Sequence, residues 1–392
     1  MRTNKGDQST VRRLNRRLIL NHIRQAGQTS RASLAQITGL SPAAVTGVTA
    51  ELISDQFLLE RTLGESSGGR PPILLDIDYT AHYAIGMKLM ETRLEAVLTD
   101  LSTKVLEHLS LPLESHSPLG VADLIAKASQ QLLVLAGVSK ERLIGLGLGL
   151  AGVVDASSGI CHSSAYLGWQ EVPIADLIRQ RLGVAVWVDN DVNAFAAAER
   201  LFGHGKSAQN FLVVTLGRGI GAGLVLGGEL YRGRDGGAGE LGHTLSELNG
   251  RGCECGNFGC LEAYASEPAL VMRYNEQCPD APLADIAAFL ACQDELATEL
   301  LLDAAKRVGR ALAQLVNILN PEMIMIGGEG VRLGEVFFDQ MKTTLLEHSF
   351  NGLAKNLPIQ IDAWGDDAWA RGAASLALQR AFDFASMKDS YV

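Results

Sequence analysis

The chain has 392 residues, 47% of them hydrophobic and 20% charged, which supplies cores for two or three globular domains and excludes low-complexity disorder. No apolar run reaches the roughly 18 uncharged residues that a membrane-spanning helix needs, and the N-terminus is arginine-rich, so a cytoplasmic protein with no membrane partner is expected. The net charge of −10 is uneven: residues 1–70 carry ten Lys/Arg against five Asp/Glu, net +5, which leaves −15 for residues 71–392. A basic module on an acidic body can approach nucleic acid although the whole chain is anionic.

In chain order, Val11, Leu14, Leu18, Ile19 and Ile23 recur near helical spacing with Arg12, Arg13, Arg16, Arg17 and Arg24 between them, which predicts an amphipathic basic helix over 11–25. Ser30 opens a short second helix containing Leu34 and Ile37, and Gly39 turns the chain. Ser41 reads as an N-cap with Pro42 at the first helical position, so a third helix runs to about residue 54. Val45, Val48 or Thr49, and Leu52 form its core face. Ala43, Thr46, Gly47 and Ala50 then point outward, a small-residue surface able to enter a groove. Residues 57–62 and 73–77 read as strands around the loop 64–72, GESSGGRPP. Helix, helix-turn-helix and hairpin make a winged helix-turn-helix over residues 1–80, with 42–54 as recognition helix and the loop as wing. Its candidate DNA contacts are Ser41, Ala43, Thr46, Gly69 and Arg70. The competing reading is a small helical dimerisation module whose arginines only solvate one face.

Beyond Tyr83 the texture changes to alternating strands and helices rich in glycine. Residues 84–87 and 94–98 suggest a hairpin, 143–150 and 185–188 buried strands, and 122–136 and 174–181 helices, with a second cycle starting at Phe211. This repetition predicts two α/β lobes with a ligand cleft between them. Asp191 falls where a strand gives way to a helix, so its carboxylate can take a proton from a substrate hydroxyl while Asn190 bonds a neighbouring one. A helix cap at the same place is the simpler use. Cys253, Cys255 and Cys260 crowd into eight positions while Cys161, Cys278 and Cys292 are scattered, a pattern for a metal site in a reducing compartment, not a disulfide framework.

Four motifs in order, VDNDVNAFAAAER (188–200), TLGRGIGAG (215–223), GAGELGH (237–243) and CECGNFGCLE (253–262), resemble those of the ROK family of sugar kinases and sugar-responsive repressors. The resemblance covers about residues 80–385, and with its head the chain is similar to the branch of xylose, N-acetylglucosamine and glucose regulators. It implies an actin-like ATPase fold with a first lobe over 81–190, a second lobe over 191–371 carrying the oligomerisation surface, and a C-terminal helix near 372–385 packed back on the first. It further implies a homodimer or homotetramer. On the family pattern Asn190, Asp191, Glu240, His243 and Glu262 hold sugar hydroxyls, with Asp191 at the position of the kinases' catalytic base. His243 likewise matches a fourth metal ligand beside Cys253, Cys255 and Cys260, which completes a closed, structural zinc site.

TLGRGIGAG has the shape of a phosphate-holding loop, yet Arg218 stands where the kinases use a threonine hydroxyl. In their other phosphate loop, an Asp-x-Gly-Gly-Thr pattern, this chain has Lys88, Leu89, Met90, Glu91 and Thr92: the Asp and both glycines are gone. Glu91 would repel a triphosphate and Met90 would fill its space. The expected function is therefore a repressor, not an enzyme, that binds operator DNA and releases it when a sugar or sugar phosphate closes the cleft, the head being tethered through residues 73–80. An ATP-dependent sugar kinase with an extra head is the enzymatic alternative, and a repressor controlled by docking a phosphotransferase-system protein is the third. Residues 151–152 and 166–169 are where sugar specificity is expected to reside.

Overall fold

The structure is a computed structural model, which describes residues 8–62, 73–292, 294–362 and 368–383. The head consists of α1 (Gln8–Ala26), β1 (Thr29–Ser30), α2 (Arg31–Thr38), α3 (Pro42–Ser54), β2 (Leu58–Thr62) and β3 (Ile73–Ile77), with β3 antiparallel between β1 and β2. Local chemistry sets its turns. Ser30 Oγ accepts the Ser33 N–H at 3.1 Å and Ser41 Oγ the Ala44 N–H at 3.2 Å, while Gly39 ends α2 at φ +70°, a conformation that favours glycine. Val45, Val48, Thr49 and Leu52 are all buried, and Ala43, Thr46, Gly47 and Ala50 are exposed. The wing loop, with Gly69 and Arg70, lies outside the described residues.

Two expectations for α1 need correction. Its core residues are Ile19, Leu20 and Ile23, whereas Val11, Leu14 and Leu18 are 49%, 56% and 44% exposed. Nor do its arginines form a free basic face. Arg12 pairs with Glu51, and Arg16 with Glu51 and, at 2.6 Å, with Asp55, so the acidic end of α3 takes up this charge. Arg17 reaches the body, 3.8 Å from Glu229.

The first lobe runs through β4 (Tyr83–Leu89), β5 (Arg93–Asp100), β6 (Val105–Pro112), α4 (Pro118–Ala136), β7 (Leu143–Leu150), β8 (Val153–Asp155), β9 (Ile160–Ser164), β10 (Trp169–Val172), α5 (Ile174–Leu182) and β11 (Val186–Asn190). Helix α6 (Asp191–Leu201) leads to the second lobe: β12 (Phe211–Leu216), β13 (Ile220–Leu226), β14 (Glu229–Tyr231), α7 (Glu262–Ala265), α8 (Glu267–Gln277), α9 (Ile286–Ala291), α10 (Glu295–Leu319), β15 (Met323–Gly327), α11 (Gly334–His348) and β16 (Ile359–Ile361). Each lobe holds a five-stranded sheet of one plan, in the orders β11-β7-β4-β5-β6 and β14-β13-β12-β15-β16. In both, the opening strand pairs antiparallel with the next and parallel with a later one, as a two-lobed, sugar-kinase-like body requires. Helix α4 is the one described helix long and apolar enough to cross a bilayer, but Val121, Ala122, Ile125, Ala128 and Leu132 bury one face in the first lobe's core, and its middle carries Asp123 and Lys127.

The last helix, α12 (Ala368–Asp383), returns to the first sheet and lies directly against β4 and β7. Gly86 and Gly147 permit that approach, since a Cβ at either would strike the backbone of Ala370 or Ala373. Helices α6 and α12 run side by side in one direction, with Phe195 and Trp369 5.8 Å apart between ring centroids near their starts and Phe202 and Phe382 6.1 Å apart near their ends. The head grips those ends. Arg24 donates to the Leu201 carbonyl and lies over both rings, 5.8 Å from the Phe202 centroid and 5.6 Å from that of Phe382. Ile19, Leu20 and Ile23 share one core with Ala84, Leu101, Ile144, Ala374, Ala377, Leu378 and Phe382, so head and body are packed as well as tethered. Burying each large apolar side chain there contributes about 1.5–3 kcal/mol.

Candidate functional site

Strand β11 ends at Asn190 and α6 starts at Asp191, which puts both residues at the mouth between the lobes. Asn190 Oδ1 accepts the N–H groups of Val192 (2.9 Å) and Asn193 (3.4 Å), and its Nδ2 donates to the Gly152 carbonyl at 3.1 Å. Asn190 is therefore the cap, and Asp191 shares one of its donors while turning its second oxygen to Lys88. Its Oδ1 accepts the Val192 N–H at 3.0 Å and its Oδ2 lies 3.1 Å from Lys88 Nζ. Lys88 is buried on β4 and stands 3.4 Å from the Trp369 ring centroid, so a carboxylate and a π face replace its lost hydration.

The second lobe supplies the facing wall. Glu262 begins α7, where its Oε2 accepts the Ile220 N–H at 2.9 Å. His243 Nε2 lies 3.9 Å from Glu240 Oε2 and 4.0 Å from Glu262 Oε1. Burial pushes the Glu240 carboxyl above its usual range, with His243 opposing and Glu262 and Asp191 adding to the rise. Tyr166 closes the side of the site, its phenol pushed up to about 12 by burial, which keeps it a hydrogen-bond donor. Asn190, Asp191, Glu240, His243 and Glu262 thus line one cavity of about 380 Å³ together with Lys88, Tyr166, Arg218 and Trp369. Carboxylates set around such a space can each accept two bonds from the adjacent hydroxyls of a sugar.

The opposite edge of His243 meets the cysteines. Its Nδ1 is 3.7 Å from Cys253 Sγ, and Cys255 Sγ is 3.7 Å from Cys260 Sγ; all four ligand atoms lie within 4.8 Å of one another. A tetrahedron with bonds of about 2.0–2.3 Å has edges near these lengths, so the donor set fits zinc. Metal on Nδ1 would leave Nε2 protonated and directed at Glu240 and Glu262, which gives one imidazole both of its expected contacts.

Arg218, in the turn between β12 and β13, bonds Glu254 in the cysteine loop at 3.1 Å, lies 3.9 Å from Glu91 in the β4–β5 turn, and covers the Tyr166 ring at 4.8 Å. Its charge is thus taken by carboxylates from both lobes, not offered to a phosphate. Below the site, the buried carboxylate of Asp189 is 2.7 Å from Arg232 Nε, another bridge between the lobes, with burial pushing the Asp189 carboxyl up against the pull of that arginine. The pairing of Lys88, the stacking of Trp369 and the Asp189–Arg232 bridge were not anticipated. Lys88 alone left a signal, as a cation at the place of a missing aspartate; Trp369 and Arg232 belong to no motif.

A two-lobed sugar-kinase-like body with altered phosphate loops, joined to a winged helix-turn-helix head, defines a regulator built on a kinase scaffold. The model of the ROK family matches residues 84–380, and the chain belongs to that family. It is 29% identical over 398 residues to the xylose repressor of Caldicellulosiruptor bescii, covering 97% of this chain and 99% of that protein. The crystal structure of a ROK family transcriptional regulator, a homolog of the E. coli MLC protein, superposes with a TM-score of 0.85 at 27% identity, covering 95% of this chain and 97% of that one. A ROK glucokinase from Streptomyces griseus, solved with glucose and AMPPNP, reaches 0.66 at 27% identity and covers 76% of this chain and 99% of its own.

Proposed function

We propose that this protein is a sugar-responsive transcriptional repressor whose head holds operator DNA and whose cleft takes the inducing sugar. The observation that carries the reading is the pairing of Lys88 with Asp191 at 3.1 Å: a lysine fills the lost phosphate loop and neutralises the position of the catalytic base, while Glu240, His243 and Glu262 still face the cavity. The non-enzymatic reading draws on the same pair, and on the full-length likeness to a repressor where the glucokinase likeness covers the body alone.

In this reading α3 enters the major groove with Ser41, Ala43 and Thr46, and Gly69 and Arg70 approach the flanking backbone or minor groove. A homodimer or homotetramer in the cytoplasm spaces two such helices for half-sites about 34 Å apart, or a multiple of that. His243, Cys253, Cys255 and Cys260 hold a structural zinc that, when bound, fixes the segment between Glu240 and Glu262. A sugar bonded by Asn190 and Asp191 on one wall and by Glu240, His243 and Glu262 on the other draws the lobes together. Helices α6 and α12 both start at this cavity and both end under Arg24, so closure turns the head relative to the body. A coupling of about 1–3 kcal/mol, typical of linked sites, lowers operator affinity roughly 5- to 150-fold.

The test pairs two assays. Xylose, glucose, N-acetylglucosamine and their phosphates are screened for release of an operator fragment, and the same compounds for coupled ATP turnover. Release without turnover is expected. Sugar-dependent ATP hydrolysis that disappears in Asp191→Asn would make the protein a kinase instead.

A further inference from the structure

Given the reading of the cleft proposed above, its donors and acceptors decide whether the sugar it takes carries a phosphate. Among the described residues lining it, Glu91, Asp191, Glu240, Glu254, Glu262 and Glu329 bring six carboxyl groups against two cations, Lys88 and Arg218. Both cations are engaged. The Lys88 ammonium faces Asp191 at 3.1 Å and the Trp369 ring centroid at 3.4 Å, in a pair that is largely buried, so turning it to a ligand would strip the Asp191 carboxylate of its counter-charge. Arg218 is bonded by Glu254 at 3.1 Å and approached by Glu91 at 3.9 Å, one carboxylate from each lobe.

Backbone donors of the kind that cradle phosphate are spent in the same way. The Met90 N–H, in the turn that stands where the kinases have a phosphate loop, bonds the Arg93 carbonyl at 2.9 Å. At the start of α6 the Val192 N–H is shared by Asn190 and Asp191, and the Ile220 N–H is taken by Glu262. A phosphate monoester carries about −1.5 to −2 charges near neutral pH, and its terminal oxygens act chiefly as acceptors. A sugar hydroxyl brings a donor, which is what an array of carboxylates needs. The cleft is therefore rich in acceptors, and its ligand must supply the hydrogens.

We propose that the cleft selects an unphosphorylated sugar over its phosphate ester, and that Glu91 and Glu254 enforce this by holding Arg218. Both residues are exposed, and neither is among the five assigned to sugar hydroxyls. With Arg218 paired, a phosphate entering the cleft meets two carboxylates beside the cation it would use. Like charge placed in this way rejects the wrong partner without adding contacts to the right one.

Calorimetry on the full-length protein tests this with xylose, glucose and N-acetylglucosamine, each beside its own phosphate. For the sugar that binds best, the free form is expected to bind about tenfold tighter than the phosphate, or more. In the double variant Glu91→Gln, Glu254→Gln the free sugar should bind within about twofold of wild type while its phosphate gains about threefold or more, the modest size that exposed ion pairs allow. A phosphate that binds wild type as tightly as its parent sugar, or more tightly, overturns the selection. A double variant in which the phosphate gains nothing overturns the part given to Glu91 and Glu254. Binding by none of the three pairs would remove the sugar reading of the cleft itself, and the selection with it.

Discussion

The ammonium of Lys88 lies 3.1 Å from the Asp191 carboxylate and 3.4 Å from the centroid of the Trp369 ring. One side chain thereby joins the first sheet, the start of α6 and the start of α12, at the spot where a kinase of this family would hold phosphate beside its base. Removing one partner of a buried pair leaves the other uncompensated. Lys88→Met is expected to lower unfolding free energy by about 1–3 kcal/mol. A double-mutant cycle with Asp191→Asn should give a coupling of about 0.5–3 kcal/mol in denaturant unfolding. Strictly additive effects would show that the pair contributes nothing.

Elemental analysis should find about one zinc per chain, as the closed ligand set requires. Cys255→Ser is expected to lose the metal, lower the melting temperature and weaken sugar binding about 10- to 100-fold, because His243 would no longer be held between the cysteines and Glu240. A metal-free wild-type protein of undiminished stability would remove the zinc centre.

For the head, operator affinity should fall steeply with salt through counterion release. Thr46→Ala and Arg70→Ala are each expected to weaken binding, by about 1–3 kcal/mol where a base contact is lost. Gel-shift titrations in which both variants match wild type would displace the interface from α3 and the wing. The pairing of Arg12 and Arg16 with Glu51 and Asp55 sets a further expectation: neutralising those two arginines should cost stability more than operator affinity.

Arg24 provides the most direct check on the route between the two ends. Arg24→Gln leaves the sugar cavity untouched, so calorimetry should return wild-type sugar affinity, while operator release per bound sugar should shrink. Full release at wild-type efficiency would show that the signal passes through the residue 73–80 tether alone.

Much of this architecture was legible in the chain itself. Capping serines at 30 and 41, the αL glycine at 39 and the alternation of buried positions in α3 are local rules, and local rules survive folding. The cysteine cluster and the loss of the phosphate loops were equally readable, being short motifs with fixed chemistry. What sequence could not give were the long-range partnerships. Val11, Leu14 and Leu18 have helical spacing yet stay exposed, and Arg12 and Arg16 meet carboxylates some forty positions away, so neither fate is written locally. Lys88 and Trp369 belong to opposite ends of the chain and meet only because Gly86 and Gly147 let α12 settle on the first sheet.

The decisive measurement is operator binding, followed by fluorescence anisotropy, in wild type and Glu262→Ala with and without the inducing sugar. Glu262 lies in the second lobe facing Asp191 across the cavity and far from the head, so its loss should spare DNA binding and abolish sensing. Wild type is expected to lose roughly 5- to 150-fold in operator affinity on adding sugar, and Glu262→Ala to bind operator as wild type does and keep it. Release from Glu262→Ala at the sugar concentration that releases wild type would contradict a sensing role for the cleft and leave its carboxylates as remnants of a kinase fold.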